Sequence, residues 1–269
     1  MENKRYLKKF NSQSEYESQK DSVMGMPHVV LLDDTKEMVF ASKNNEDEID
    51  YSKEYFTIEA LEDGLTVQLS ENASYYRIDN GEWMSLAADT ETQSINSGQK
   101  ISFKITNPKM PFGIGVFTVN KAFNVEGNVM SLLYGDDFVG QTDLSGKYYA
   151  LNGLLQGCPT LQNAENLILP ATTLASGCYM DMFTECTSLT TAPELPATTL
   201  SESCYEGMFY NCSELNYIKM LATDISATGC LMMWVSGVAS TGTFVKAASM
   251  TSLPSGISGI PNGWTVENA

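Results

Sequence analysis

From residue 54 onward, apolar side chains recur at every second position in short bursts. Phe56, Ile58 and Ala60 alternate with polar residues, and Leu65, Val67 and Leu69 repeat the pattern after the Glu62-Asp63-Gly64 turn. Tyr76-Arg77-Ile78 and Trp83-Met84 flank Asp79-Asn80-Gly81-Glu82, whose Asn-Gly pair is a strong hairpin signal. Ile101, Phe103 and Ile105 alternate again beyond Ser97-Gly98. A period of two marks half-buried strands, and short strands separated by regular turns predict a sandwich or small barrel over residues 54–127.

Upstream, the pattern predicts a smaller unit. Arg5-Tyr6-Leu7-Lys8-Lys9-Phe10 reads as a strand. Ser12-x-x-Glu15 and Ser14-x-x-Glu17 are overlapping capping boxes, which predict a short helix through about Lys20. Val29-Val30-Leu31-Leu32 and Met38-Val39-Phe40-Ala41 flank Asp33-Asp34-Thr35-Lys36 as a hairpin. Some 40 residues rarely build a stable core alone, so residues 1–45 are expected to lean on a partner or on copies of themselves. Tyr6, Leu7 and Phe10 are the candidate anchor residues. The acidic stretch 46–53 reads as a linker.

Downstream the period changes. Residues 158–185 (CPTLQNAENLILPATTLASGCYMDMFTE) and 186–211 (CTSLTTAPELPATTLSESCYEGMFYN) are near-copies. Cys178, Cys204 and Cys230 are spaced by 26 residues, as are Cys186 and Cys212, whereas Cys158 to Cys186 spans 28. A degraded third unit starts at Cys212, with Trp234-Val235 in place of Met208-Phe209, and a half-unit around Leu154-Leu155 precedes Cys158. Such a period signals stacked coils with atypical terminal units. Each unit reads as a short extended segment around Thr190-Leu195, followed by a helical turn with Leu200, Cys204 and Met208 at i, i+4 and i+8. Cys158, Cys178, Cys186, Cys204, Cys212 and Cys230, with Met182, Phe183, Met208 and Phe209, are the expected repeat core. Thr172-Thr173 and Thr198-Thr199 should form a polar ladder on one face, the candidate contact face. Gly242-Lys246 and Gly263-Val266 supply two β segments as a C-terminal cap over 241–269.

This motif over residues 139–240 resembles the BspA-like branch of leucine-rich repeats, common in surface proteins of gut Bacteroides, their prophages and their phages. The N-terminal arrangement resembles a module of Bacteroides phage structural proteins, where it would anchor the protein to the particle. The resemblance implies a strand and a short helix per repeat, and a role in adhesion to host-cell or gut glycan surfaces.

Charge and composition narrow the reading. The chain of 269 residues carries 16 basic and 33 acidic side chains, a net charge of −17. Residues 128–269 hold twelve acidic residues and only Lys147, Lys219 and Lys246 as basic ones. Such a surface repels phosphate backbones, so no nucleic-acid partner is expected. The opening residues lack the apolar run of a signal peptide, and no 18-residue apolar stretch predicts a membrane span. A cytosolic chain keeps thiols reduced, so the cysteines are read as a buried ladder. Coils about 4.8 Å apart would also permit bridging. A zinc site is poorly supported, since no cysteine pair has C-x-x-C spacing and His28 is the sole histidine.

Catalytic patterns are missing. His28 has no Ser or Cys partner set, and a structural strand role is its expected place. Asp136-Asp137 reads as a solvated turn, with a calcium-binding pair as the alternative. Gly113-Ile114-Gly115 has Thr118 where a dinucleotide fingerprint needs its third glycine.

The expected architecture is therefore β-rich and multidomain. It comprises a small α+β anchor (1–45), a linker (46–53), an immunoglobulin-like β-sandwich (54–127), a short leucine-rich solenoid (128–240) and a β cap (241–269). The expected function is that of a non-enzymatic, cofactor-free virion surface protein, a head fibre, decoration protein or tail accessory assembled in the host cytoplasm. Other virion proteins, further copies of itself and a host-surface glycan or protein are its expected partners. The alternative is a bacterial cell-surface adhesin of the same repeat family.

Overall fold

The computed structural model describes residues 6–10, 28–32, 38–41, 50–71, 74–106, 108 and 115–269. The chain divides into two compact units, Met1–Asp50 and Tyr51–Ala269.

In the first unit, β1 (Tyr6–Phe10), β2 (His28–Leu32) and β3 (Met38–Ala41) form one sheet in that order. β2 and β3 pair antiparallel, with Val29 opposite Phe40, as a hairpin requires. β1 runs parallel to β2, Leu7 facing Val29. A parallel pair needs a crossover connection of a dozen or more residues. The helix expected through Lys20, the turn at 33–36 and residues 46–49 of the linker lie outside the described residues.

The second unit is β-rich with several sheets. Its central sheet has seven strands, running β12 (Leu161–Asn163), β11 (Phe123–Asn128), β4 (Phe56–Ala60), β9 (Lys100–Ile105), β6 (Ser74–Ile78) and β7 (Met84–Leu86). β13 (Leu167–Ile168) also pairs β11. A second sheet places β5 (Val67–Leu69) between β10 (Phe117–Val119) and β8 (Thr90–Glu91). Phe56 and Phe103 from the first sheet meet Phe117 from the second at ring-centroid distances of 5.0 and 5.3 Å, all essentially without exposure. These rings fill the space between the sheets, and the period-two pattern marked Phe56 and Phe103 for it.

The boundary expected at 127–128 is bridged by a sheet. β11 pairs antiparallel with β4 on one side and parallel with β12 and β13 of the repeat region on the other. The parallel pairing then passes from coil to coil: Asn163 to Thr191, Thr191 to Tyr217, and on through β14 (Tyr217–Met220), β15 (Thr243–Lys246) and β16 (Thr265–Asn268). The two C-terminal segments are thus the last strands of this ladder.

Gly127 is the tightest point of that junction. Its φ is +78°, and a Cβ there would overlap the Tyr55 carbonyl oxygen and lie 2.8 Å from the carbonyl carbon. Gly127→Ala is expected to cost about 2–4 kcal/mol, from left-handed strain plus the forced shift of a backbone. Gly64→Ala, at φ +83° with open space around it, should cost only the strain, about 1–2 kcal/mol. Denaturant titration of both variants checks the difference; equal costs would remove the argument from crowding.

The helical turn expected in each repeat is absent, and a different backbone solution takes its place. Residues 176–185 form a run of turns. The even-numbered amides bond three residues back: Cys178 to Ala175, Met180 to Gly177, Met182 to Tyr179 and Thr184 to Asp181, at 3.1–3.4 Å. The odd-numbered amides point to the next coil, so that Gly177, Tyr179, Asp181, Phe183 and Glu185 donate to the carbonyls of Glu202, Cys204, Glu206, Met208 and Tyr210 at 2.8–3.1 Å. The coils at 149–157 and 203–211 use the same alternation toward their successors. Both sets of buried backbone groups are thereby satisfied without a helix.

Every fourth residue of this run is left-handed, as at Gly177 (φ +63°), Asp181 (φ +53°) and Glu185 (φ +63°). Neighbouring coils would bring left-handed side chains onto one another, and in two of the three columns of such positions glycine alternates with larger residues and relieves this. The Tyr149 ring covers Gly177, and the Asp181 carboxylate covers Gly207. Thr184 fixes the latter arrangement, its hydroxyl donating to the Gly207 carbonyl at 2.7 Å and lying 3.1 Å from Asp181 Oδ1.

Candidate functional site

The side chains expected in the repeat core are all buried. Met182, Phe183, Met208 and Phe209 have no exposure, and Phe183 stacks on Phe209 at 5.5 Å and 15°. The aromatic column continues through Trp234 (6.0 Å) to Phe244 (6.1 Å). Trp234 Nε1 donates to the Gly259 carbonyl at 2.9 Å, which ties the last coil to the C-terminal loop.

All six cysteines are buried free thiols. One ladder hands each thiol proton to the layer before it: Cys158 Sγ to Phe117 O (3.3 Å), Cys186 to Leu155 O (3.2 Å) and Cys212 to Phe183 O (3.0 Å). Cysteine suits these positions as a small apolar body with one weak donor. Burial pushes the Cys158, Cys204 and Cys212 thiols up to about 12, and raises Cys178 and Cys186 as well. A thiolate is the reactive form, so these groups are chemically quiet.

The threonine face is arranged differently from the expected ladder. Thr172, Thr173, Thr198 and Thr199 are exposed, but each pair takes its backbone partner from an outer coil. Thr172 N donates to Thr142 O (3.0 Å) and Thr173 bridges Asp143. Thr223 N donates to Thr198 O (2.8 Å) and Thr199 bridges Asp224. Between the two pairs, Ser201 Oγ donates to Leu174 O at 2.7 Å. Hydroxyl bonding to the neighbouring coil therefore replaces a continuous Thr ladder.

A groove that the sequence did not disclose crosses another face of the stack. Its volume is about 500 Å³. One left-handed position from each of four coils lines it, in the order Gly157, Glu185, Asn211, Gly237. Pro159, Thr187 and Ser213, also equivalent by repeat, form the second row. The backbone amides of Gly157, Glu185 and Asn211 are consumed by the carbonyls of Thr184, Tyr210 and Ser236. Ser213 Oγ donates to Thr187 O at 3.2 Å. The available signal was the set of polar residues at matched repeat positions, between glycines at both ends.

Asp136 has a structural partner. It lies in a 3₁₀ turn, Gly135–Asp137, and accepts from Lys104 Nζ at 2.7 and 2.8 Å and from the Tyr55 hydroxyl at 2.7 Å. Its carboxyl is held below the usual range, first by the Lys104 bond and then by Tyr55. Burial, with help from Asp136, pushes the Tyr55 hydroxyl up to about 12. The nearly buried Lys104 also sits 4.4 Å from the Trp83 ring, and Arg77 lies between Tyr55 and Trp83 at 5.2 and 5.0 Å. Cation–π contacts hold this cluster together.

Among the described residues, no group of three or more His, Cys, Asp or Glu side chains could hold a metal ion. None of their helices is long and apolar enough to cross a membrane. Tyr6, Leu7 and Phe10 stand on β1 opposite His28, Val29 and Leu32, so the lone histidine is a strand residue. Gly113 and Ile114 lie outside the described residues, and Gly115 donates to the Gly153 carbonyl at 2.9 Å. A scan against protein-family models and searches of curated proteins and solved structures find no match to this chain.

Proposed function

We propose that the chain is a non-enzymatic surface protein of a phage particle, attached through its N-terminal unit and displaying the larger unit outward. The observation that carries this reading is the division into a small sheet of three strands and a separate large unit built on stacked repeats. A sheet unit of some 50 residues gains stability by docking to a partner. In finer detail, we read the two-sheet region as an immunoglobulin-like sandwich and residues 139–240 as a short BspA-type leucine-rich solenoid. The parallel coil-to-coil bonds support the solenoid reading, although turns stand where that family has a helix. Many copies on one particle would convert weak single contacts into avidity.

Mass spectrometry of purified particles is the test. The chain should be present, and deletion of residues 1–50 should prevent incorporation while residues 51–269 still fold by circular dichroism. Particles that lack the full-length chain, or that take up the truncated one, would refute the reading.

A further inference from the structure

We propose that the groove from Gly157 to Gly237 binds a neutral, extended oligosaccharide. This assignment rests on the surface-display reading above and gives it a ligand class. Shape is the first argument. Four coils contribute one residue each at a step of about 4.8 Å, so the groove offers a track roughly 15 Å long, the reach of a few sugar rings. Glycines at both ends leave it open, so a chain longer than the track can run through it.

Chemistry supplies the second argument. Because the ladder already uses the backbone amides of Gly157, Glu185 and Asn211, main-chain pairing with a peptide strand is disfavoured here. Recognition falls to side chains: a carboxylate that only accepts, an amide that does both, and the hydroxyls of Thr187 and Ser213. Sugar hydroxyls both donate and accept, and one polyol chain can satisfy that mixed row. An apolar or purely cationic ligand would leave donors or acceptors unmatched.

Charge decides between classes of polysaccharide. Glu185 lies within the groove, and residues 128–269 carry twelve acidic against three basic side chains. A uronic-acid or sulfated polymer would be repelled, whereas a neutral one would not. The site is also preorganised, since the rows are fixed by the same backbone ladder that holds the coils together.

The test uses the full chain and immobilised neutral hexasaccharides of linear gluco-, manno- and xylo-type, with polygalacturonate as the anionic control. Glu185→Gly with Asn211→Gly keeps the left-handed backbone that Gly157 and Gly237 already adopt, and an unchanged melting temperature certifies its fold. The native chain should bind at least one neutral hexamer and not polygalacturonate. The double variant should lose at least tenfold in affinity, and Thr198→Ala with Thr199→Ala on the other face should lose less than twofold. No binding to any neutral hexamer, or binding unchanged in the groove variant, would overturn the assignment. Either result leaves the particle reading standing if the chain is found in particles, and groove binding by a chain missing from particles does the reverse.

Discussion

Raising the pH from 8 to about 11 is expected to unfold the 51–269 unit cooperatively. The cause is the buried thiol ladder. Burial raises the folded-state values of Cys158, Cys204 and Cys212 to about 12, and those of Cys178 and Cys186 also rise. In the unfolded chain a cysteine titrates at about 8.5. A group with a raised folded value contributes full stability below its unfolded value, and loses it as the pH climbs toward the folded one. Between about 9 and 12 the unfolded chain therefore binds fewer protons than the native one. Each such thiol subtracts about 1.4 kcal/mol per pH unit. The three thiols at about 12 together amount to about 4 kcal/mol per unit, set against a total stability of about 5–15 kcal/mol for a typical domain. Far-UV circular dichroism against pH, under reducing conditions, should show a sharp transition near pH 10–11. A fold that persists beyond pH 11.5 would mean that the thiols are not buried in this way.

Phe209→Ala should be among the most damaging core truncations in the stack. The ring has no exposure and contacts Phe183 on one side and Trp234 on the other. Removing a buried phenyl from an interior that cannot collapse costs about 3–5 kcal/mol. For a domain of this size that corresponds to roughly 6–20 °C in melting temperature. The backbone ladder on both sides of Phe209 runs through fixed coil spacings, so little collapse is available to soften the loss. Calorimetry measures it; a drop below about 3 °C would contradict the packing argument. Combining the change with Phe183→Ala should cost less than the sum of the two, because the variants share one ring contact.

Sequence patterns disclosed different layers of this molecule unequally. The strands around Phe56, Phe103 and Tyr76 were legible because alternation reports directly on which face is buried. The repeat was legible because core residues recur at fixed spacing, from Cys178 to Cys204 and from Phe183 to Phe209. The helix was misread for a physical reason. Leu200, Cys204 and Met208 recur every four residues, close to the helical period of 3.6, but here the period comes from a left-handed residue at every fourth position. Hydrophobic spacing alone does not separate the two. The sheet across residues 127–128 was hidden because β11 and β12 are joined by pairing between strands distant in sequence, which no local pattern encodes. The groove was hidden because its lining is polar and exposed, the composition of an ordinary solvated turn. The threonine pairs were visible as a repeat, yet their partners lie in the degraded outer coils, where similarity fades.

The odd–even division of labour among the turn amides also governs how the gene can change length. A single inserted residue within a turn run would exchange the two sets, aiming every ladder donor back into its own coil and every turn donor outward. The longer spacing of the first unit, 28 residues against 26, leaves the runs intact, because its two extra residues fall before Leu169, outside those runs. Duplication of a whole unit would preserve them as well. The length of this protein is thus open to evolution in whole-coil steps, so that reach can be altered by copying while the join between coils stays the same.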